Sequence, residues 1–282
     1  MSPEFRFNDV HLVANRNSLR NLFRFACNQV SDSWRVDLHI INDTLFISRE
    51  ERNIDLMVYG TPNGGYGRNF ERAFTTSAPG LGNSTAHHRV VQYHLGDINC
   101  VIRFEVDAYV DEDDTPFMSP QPVQSSSTKA DGKATKGPTL TKVIHRGQLT
   151  ASSMLAEIKT RGKDAGKSSP RHTMPQLWFG RIPHLLIGRQ QDGNLIEVKH
   201  TVVSDQFQDW EAENQTALRK LVAVIHQLRD AVRTVQNSEE SESVSCIAVC
   251  DKTSKPFTVK VYSSKANKPV LPEDLVRQFW SG

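Results

Sequence analysis

The sequence predicts an α/β (α+β) fold, a mixed, mainly antiparallel sheet core with flanking helices. Three observations predict it. Several short runs alternate apolar and polar residues, as half-buried strands do. Others repeat apolar residues at three- and four-residue spacing, the stripe of an amphipathic helix. The strand-like runs also come in adjacent pairs, at 36–40 with 44–48, at 88–95 with 98–110, and at 246–251 with 256–262.

The first element is a helix over 17–30. Asn17 caps it, and Leu19, Leu22, Phe23, Ala26 and Val30 make its stripe. Val36–Ile40 and Thr44–Ser48 then alternate around an Asn42-Asp43 turn. A Gly-rich stretch from Thr61 to Gly67 leads into a short helix over Arg68–Phe74, with Phe70 and Phe74 on its core face and Glu71 at the edge of that face. Residues 88–95 and 98–110 follow as strands. Residues 111–138, rich in Asp, Pro, Ser, Thr, Lys and Gly, hold too few large apolar residues to order themselves and read as a disordered insertion. Strands near 140–146 and over Met154–Thr160 come next. Residues 175–188, built around Pro183, read as a short helix, a turn and a strand. The clearest helix spans 205–236, with Trp210, Leu218, Leu221, Val222, Ile225, Leu228, Val232 and Val235 on one stripe. A hairpin (246–251 and 256–262) and a helix opened by Pro272 end the chain. This organisation predicts one domain over 6–282, with residues 1–5 read as an expression-vector remnant.

Composition narrows the class. With 38% hydrophobic residues the chain can build a core, and a net charge of +2 does not mark a dedicated nucleic-acid binder. Charge is uneven, however: Lys129 to Arg171 holds ten Lys or Arg against three Asp or Glu. That stretch suits a polyanionic substrate or a merely solvated loop. Cys27, Cys100, Cys246 and Cys250 lack metal or redox spacing and read as free thiols in a reducing compartment. No apolar run approaches the ~18 residues of a membrane span. An intracellular protein without a membrane partner is expected, with nucleus, cytoplasm and mitochondrion all open.

Two strand-like segments carry the chemistry. Within Val101–Val110, Glu105 and Asp107 share a face. Within Met154–Thr160, Glu157 and Lys159 do so. Carboxylates and a lysine inside apolar runs are expensive to bury unless a cation or substrate offsets the desolvation. Hard oxygen ligands of this kind suit Mg²⁺ or Mn²⁺. A lysine beside them can orient a water and steady charge on a phosphoryl oxygen. Cross-strand ion pairs explain the same residues without any site.

The order of motifs resembles a known family. Gly67-Arg68-Asn69-Phe70-Glu71 resembles its Gly-x-x-Phe-Glu helix, Glu105-Val106-Asp107 its Glu-x-Asp strand, and Glu157-Ile158-Lys159-Thr160 its Glu-x-Lys strand. Pro175–Arg189 resembles its Gln-bearing helix, proline turn and following strand. The family is the DXO-like decapping exoribonucleases, whose core is shared with PD-(D/E)XK nucleases; the likeness is to a diverged fungal-type branch. The resemblance implies Glu71, Glu105, Asp107 and Glu157 as metal ligands, with the Ile158 carbonyl adding an oxygen. It implies Lys159 positioning the attacking water, with Gln176 beside it, and Arg49 as the phosphate-contacting arginine. Mg²⁺ or Mn²⁺ would be the cofactor. RNA with a modified or unmodified 5′ end would be the substrate, and an exoribonuclease a protein partner.

Plainer roles stand beside these. Glu71 also reads as a helix-surface glutamate and Gln176 as a polar residue at a helix start. His87 and His88 read as a phosphate or metal contact, or as a buried or merely solvated pair. Trp178 and Trp210 suit base stacking but fall on core stripes. A DNA-directed PD-(D/E)XK nuclease would use the same acids, and a catalytically silent RNA-end scaffold is a third reading.

Overall fold

Leu12–Asn15 forms a strand, β1, too short to show alternation, yet it decides the topology of the larger sheet. The computed structural model describes residues 5–49, 66–78, 81–84, 86–110, 149–163, 170–238, 245–264 and 269–280. Helix α1 (Arg16–Ala26) follows β1, then β2 (Trp34–Ile41), β3 (Thr44–Arg49), α2 (Tyr66–Phe74), β4 (His88–Leu95), β5 (Ile98–Glu105) and β6 (Ala108–Tyr109). Beyond the expected insertion come β7 (Leu155–Gly162), α3 (Met174–Gly180), β8 (His184–Gln191) and β9 (Asn194–Val202). Helices α4 (Phe207–Glu213) and α5 (Gln215–Gln236), strands β10 (Ser245–Cys250) and β11 (Val259–Ser263), and α6 (Glu273–Trp280) complete the order. The insertion at 111–138 and the strand expected near 140–146 lie outside the described residues.

The strands form two sheets. Seven run in the order β11-β10-β2-β3-β1-β5-β4, and four in the order β6-β7-β8-β9. β1 is parallel to both β3 and β5, while the other pairs of the large sheet are antiparallel. In the small sheet β7 and β8 are parallel and the outer pairs antiparallel. The sheets are therefore mixed and mainly antiparallel, as expected, with helices around them.

Three boundaries and one whole strand depart from expectation for local reasons. Helix α1 stops at Ala26 rather than at residue 30, because Asn28 adopts a left-handed conformation (φ 57°). Asn28 N then donates to the Phe25 carbonyl at 2.9 Å and Gln29 N to the Arg24 carbonyl at 2.8 Å, a Schellman closure. The strand expected over 98–110 breaks at Val106-Asp107, where the chain leaves one sheet for the other. The helix expected over 205–236 is interrupted at Asn214, whose side-chain amide donates to the Trp210 carbonyl at 2.8 Å. Strand β9 was not anticipated. It pairs back on β8 through Asp192 (φ 52°) and Gly193 (φ 84°), both left-handed as a tight hairpin turn requires.

One core joins the two sheets. Leu12, Leu22, Leu38, Ile102, Leu177, Phe179, Leu185 and Leu221 are among its buried members. Trp178 and Trp210 pack at 5.2 Å between centroids and are buried, so both belong to the core, as their stripes suggested. Phe23 and Phe179 extend this aromatic hub. Cys100, Cys246 and Cys250 are buried free thiols and Cys27 is half-buried. No described helix is long and apolar enough to cross a membrane.

Helix α2 docks on the small sheet through a close approach. A Cβ at Gly188 would lie 2.8 Å from Phe70 Cζ and 3.0 Å from Leu195 Cδ1. Gly188→Ala is therefore expected to cost about 1–3 kcal/mol by overpacking, read as a lowered urea midpoint. A midpoint equal to that of the wild type would show that α2 is not seated on this face.

Candidate active site

Strand β7 begins with four buried residues, Leu155, Ala156, Glu157 and Ile158, so one carboxylate is carried into the interior by the strand itself. Alternation sends Glu157, Lys159 and Arg161 to one face and Ile158 and Thr160 to the other. Glu157 is 0% exposed. Such a charge persists only if it is paired and fully hydrogen-bonded.

Its partners come from three elements. Arg16, the first residue of α1 and 6% exposed, donates from Nη1 to Glu157 Oε2 at 3.1 Å. Its Nη2 lies 3.4 Å from the Glu105 carbonyl, and its guanidinium sits 5.2 Å over the Phe104 ring. Lys159 Nζ and Gln176 Nε2 both donate to the other oxygen, Oε1. Gln176 is 9% exposed and rides on α3, a helix opened by Pro175, where a missing N–H costs nothing.

Asp107 joins from the break between the sheets. Its Oδ2 accepts from Ile158 N at 2.8 Å and lies 3.9 Å from Lys159 Nζ. Burial pushes the Asp107 carboxyl up to about 7, and the charge of neighbouring Glu157 pushes the same way, against the pull of Lys159.

The structure thus brings together Asp107, Glu157, Lys159 and Gln176, with the backbone of Ile158. Ile158 takes part through its N–H, donated to Asp107, where the expectation was its carbonyl. Glu105 does not join. The strand break after it removes the shared face with Asp107, and its exposed side chain stands across from His88 on β4. Only its backbone carbonyl reaches the cluster, through Arg16.

Glu71 belongs to α2, whose Phe70 sits on the Gly188 face of the small sheet. Gly188 pairs with Thr160, so this is the face opposite Lys159. Arg49 is exposed at the end of β3, and among the described residues no hydrogen bond or ion pair joins it to the cluster. The arginine at its centre is Arg16, which the sequence reading missed. Its sole sequence signal is an arginine closing the apolar run Leu12-Val13-Ala14 at a strand–helix junction. Among the described residues, no three His, Cys, Asp or Glu side chains converge as a metal-binding group.

Over residues 1–280 the chain matches the model of a protein family described as a domain of unknown function, DUF8563. The chain belongs to that family. No curated protein matches it. Among solved structures, S. pombe Rai1 in complex with 3′-FADP aligns with a TM-score of 0.55 at 14% identity, covering 91% of this chain and 72% of that one. Candida albicans Rai1 in complex with pU5-Mn²⁺ aligns at 0.56 and 14%, covering 95% and 73%. K. lactis Dxo1 in complex with manganese aligns at 0.55 and 13%, covering 96% and 69%. This DUF8563 chain therefore has the fold of the Rai1 and Dxo1 structures.

The donor chemistry fits a hard divalent cation. Two adjacent carboxylates, one of them driven toward its protonated form by burial and by the charge of the other, gain from a dication between them. Two carboxylates are also the usual protein share of a Mg²⁺ site, whose other oxygens come from water and phosphate. Glu157 is already neutralised by Arg16 and Lys159, so Asp107 is the carboxylate with more to gain.

A pH dependence follows for this DUF8563 member. Folded Asp107 keeps its proton up to about pH 7, whereas the unfolded carboxyl releases it near 3.8. Between those values the native state binds more protons, so stability falls as pH rises, by up to about 4 kcal/mol. Urea unfolding in metal-free buffer from pH 4 to 7 should display that fall, and Asp107→Asn should flatten it. An identical slope in the variant would refute the assignment to Asp107.

Proposed function

We propose that the chain is a metal-dependent hydrolase of RNA 5′ ends, acting on phosphodiester or pyrophosphate bonds as a decapping enzyme or pyrophosphohydrolase, with 5′-to-3′ trimming as an extension. One observation carries the reading. Asp107, Glu157, Lys159 and Gln176, drawn from three separate segments, meet around the buried Glu157 carboxylate in a fold shared with Rai1 and Dxo1 structures. An Mg²⁺ or Mn²⁺ ion held there by Asp107 and Glu157 would supply an activated water and charge neutralisation at the scissile phosphate.

The chain's own residues do the rest. Arg16 and Gln176 fix the orientation of the Glu157 carboxylate by occupying both of its oxygens. The Ile158 N–H fixes Asp107. The Lys159 ammonium, a third exposed, is the donor of the cluster that reaches solvent and can meet a phosphoryl oxygen or the attacking water. Burial of Glu157 excludes competing water from its side of the site.

The test is a panel of capped RNA, 5′-triphosphate RNA, 5′-monophosphate RNA and duplex DNA, incubated with Mn²⁺. The expected result is Mn²⁺-dependent release from RNA 5′ ends, abolished in the Glu157→Ala/Asp107→Ala double variant. Full activity in that variant would sink the mechanism, and cleavage confined to duplex DNA would redirect it to a DNA nuclease. One observation favours a second reading, a silent RNA-end-binding scaffold: the missing third carboxylate among the described residues. Calorimetry separates the two, since the scaffold binds no Mn²⁺ at millimolar concentration.

A further inference from the structure

Two residues beyond Lys159, the same face of β7 carries Arg161, roughly 6.6 Å further along the strand. In the parallel pairing of β7 with β8, Arg161 lies directly across from Arg189. Their side chains leave neighbouring strands roughly 4.8 Å apart. Like charges placed opposite one another weaken a sheet.

Arg189 is compensated. Its Nη1 lies 3.8 Å from Glu197, its neighbour across β9, and its Nη2 donates to the Lys163 carbonyl at 2.7 Å. Arg161 is half-buried and has no hydrogen bond or ion pair among the described residues. Lys163, just past the end of β7, adds a further exposed ammonium, which donates to Gln191 Oε1 at 3.0 Å. The row Lys159, Arg161, Arg189 and Lys163 starts at the acids Glu157 and Asp107, which contact Lys159, and runs outward into solvent, where Glu197 contacts Arg189.

Among the described residues, this strand pair sets an uncompensated arginine against another, in line with Lys159, an arrangement that suits an anion. Guanidinium forks match phosphate in two-point contact. We propose that Arg161 and Arg189 form a subsite for the backbone phosphates of single-stranded RNA whose 5′ end reaches Asp107, Glu157 and Lys159. The subsite rests on the RNA 5′-end reading above. It holds the strand by charge and makes no contact with bases, so it confers length dependence and no sequence preference.

The experiment measures binding without turnover. Fluorescence anisotropy follows a labelled single-stranded 5′-monophosphate RNA of about 20 nucleotides in EDTA across a salt series. Arg161→Ala and Arg189→Ala should each weaken binding roughly tenfold and make the salt slope shallower by roughly 0.7, the share of one phosphate contact. Arg161→Lys should keep the slope. Thermal unfolding of Arg161→Ala should occur no lower than in the wild type, because a repulsion is removed.

A double alanine variant that binds with wild-type affinity and slope overturns the subsite. If such a variant is found while the wild type hydrolyses RNA 5′ ends, the subsite falls alone. If the wild type binds RNA through both arginines but hydrolyses no 5′ end, the subsite stands and the hydrolase reading falls. A wild type that binds no single-stranded RNA overturns both.

Discussion

Glu157→Ala is expected to remove about 3–5 kcal/mol of folding stability, the range for breaking a buried ion pair by deleting one partner. The loss has two sources. Arg16, itself buried, loses its carboxylate and is left, among the described residues, with the Glu105 carbonyl at 3.4 Å as its acceptor. Gln176 and Lys159 lose a shared acceptor at the same time. A paired replacement, Arg16→Met with Glu157→Met, should recover most of the loss, because well-packed apolar groups match or exceed a buried ion pair. Urea denaturation with an unchanged m-value checks both expectations. A single variant within about 1 kcal/mol of the wild type would mean that water reaches this pair and that the cluster is not a dry site.

Lys159→Ala should leave the fold intact and remove roughly 10²–10⁴-fold of the Mn²⁺-dependent hydrolysis, the usual worth of a positioned donor or acid–base group. Its side chain is a third exposed, so little packing is lost. Asp107 then loses the ammonium that opposes its burial and the charge of Glu157, and is pushed further toward its protonated form. Lys159→Arg should not restore the rate, since a planar fork cannot occupy the position of a compact ammonium. Single-turnover hydrolysis, compared with the unfolding temperature, distinguishes a lost catalytic group from a lost fold. Wild-type rates in Lys159→Ala would end the reading of this lysine as part of the machinery.

Much of the fold was legible because its elements are long enough to show a period. The stripe of α5, the alternation of β2, β3 and β4, and the short helix before Pro183 all follow from spacing. Strand β1 was not legible, since four residues carry too little pattern. Strand β9 was missed although Asp192-Gly193 is a strong hairpin signal; Asn194–Val202 alternates around charged residues on a mostly exposed edge. The break at Val106-Asp107 hides inside an unbroken alternation. Nothing local says that a chain will change sheets, because both sheets accept the same apolar residues.

The candidate site divides along the same line. Glu157, Lys159, Asp107 and Gln176 could be named from motif order, and they do meet. Arg16 could not, because the pairing of residues 16 and 157 is a contact across 141 positions that depends on how β1 and β7 are brought together. Glu105 looked equivalent to Asp107 until the strand break separated them. Glu71 depends on which face α2 covers, and that is decided by the room that Gly188 leaves for Phe70.

What the amino-acid sequence determined by itself is therefore the class of fold and the residue types available for chemistry. Periodicity and desolvation cost are local properties, readable one segment at a time. The tertiary structure alone decided that there are two sheets, that Arg16 neutralises Glu157, and that burial, with Glu157 beside it, pushes the Asp107 carboxyl up to about 7. Those outcomes depend on distances between segments remote in sequence, and charge interactions are set by distance and burial rather than by order along the chain.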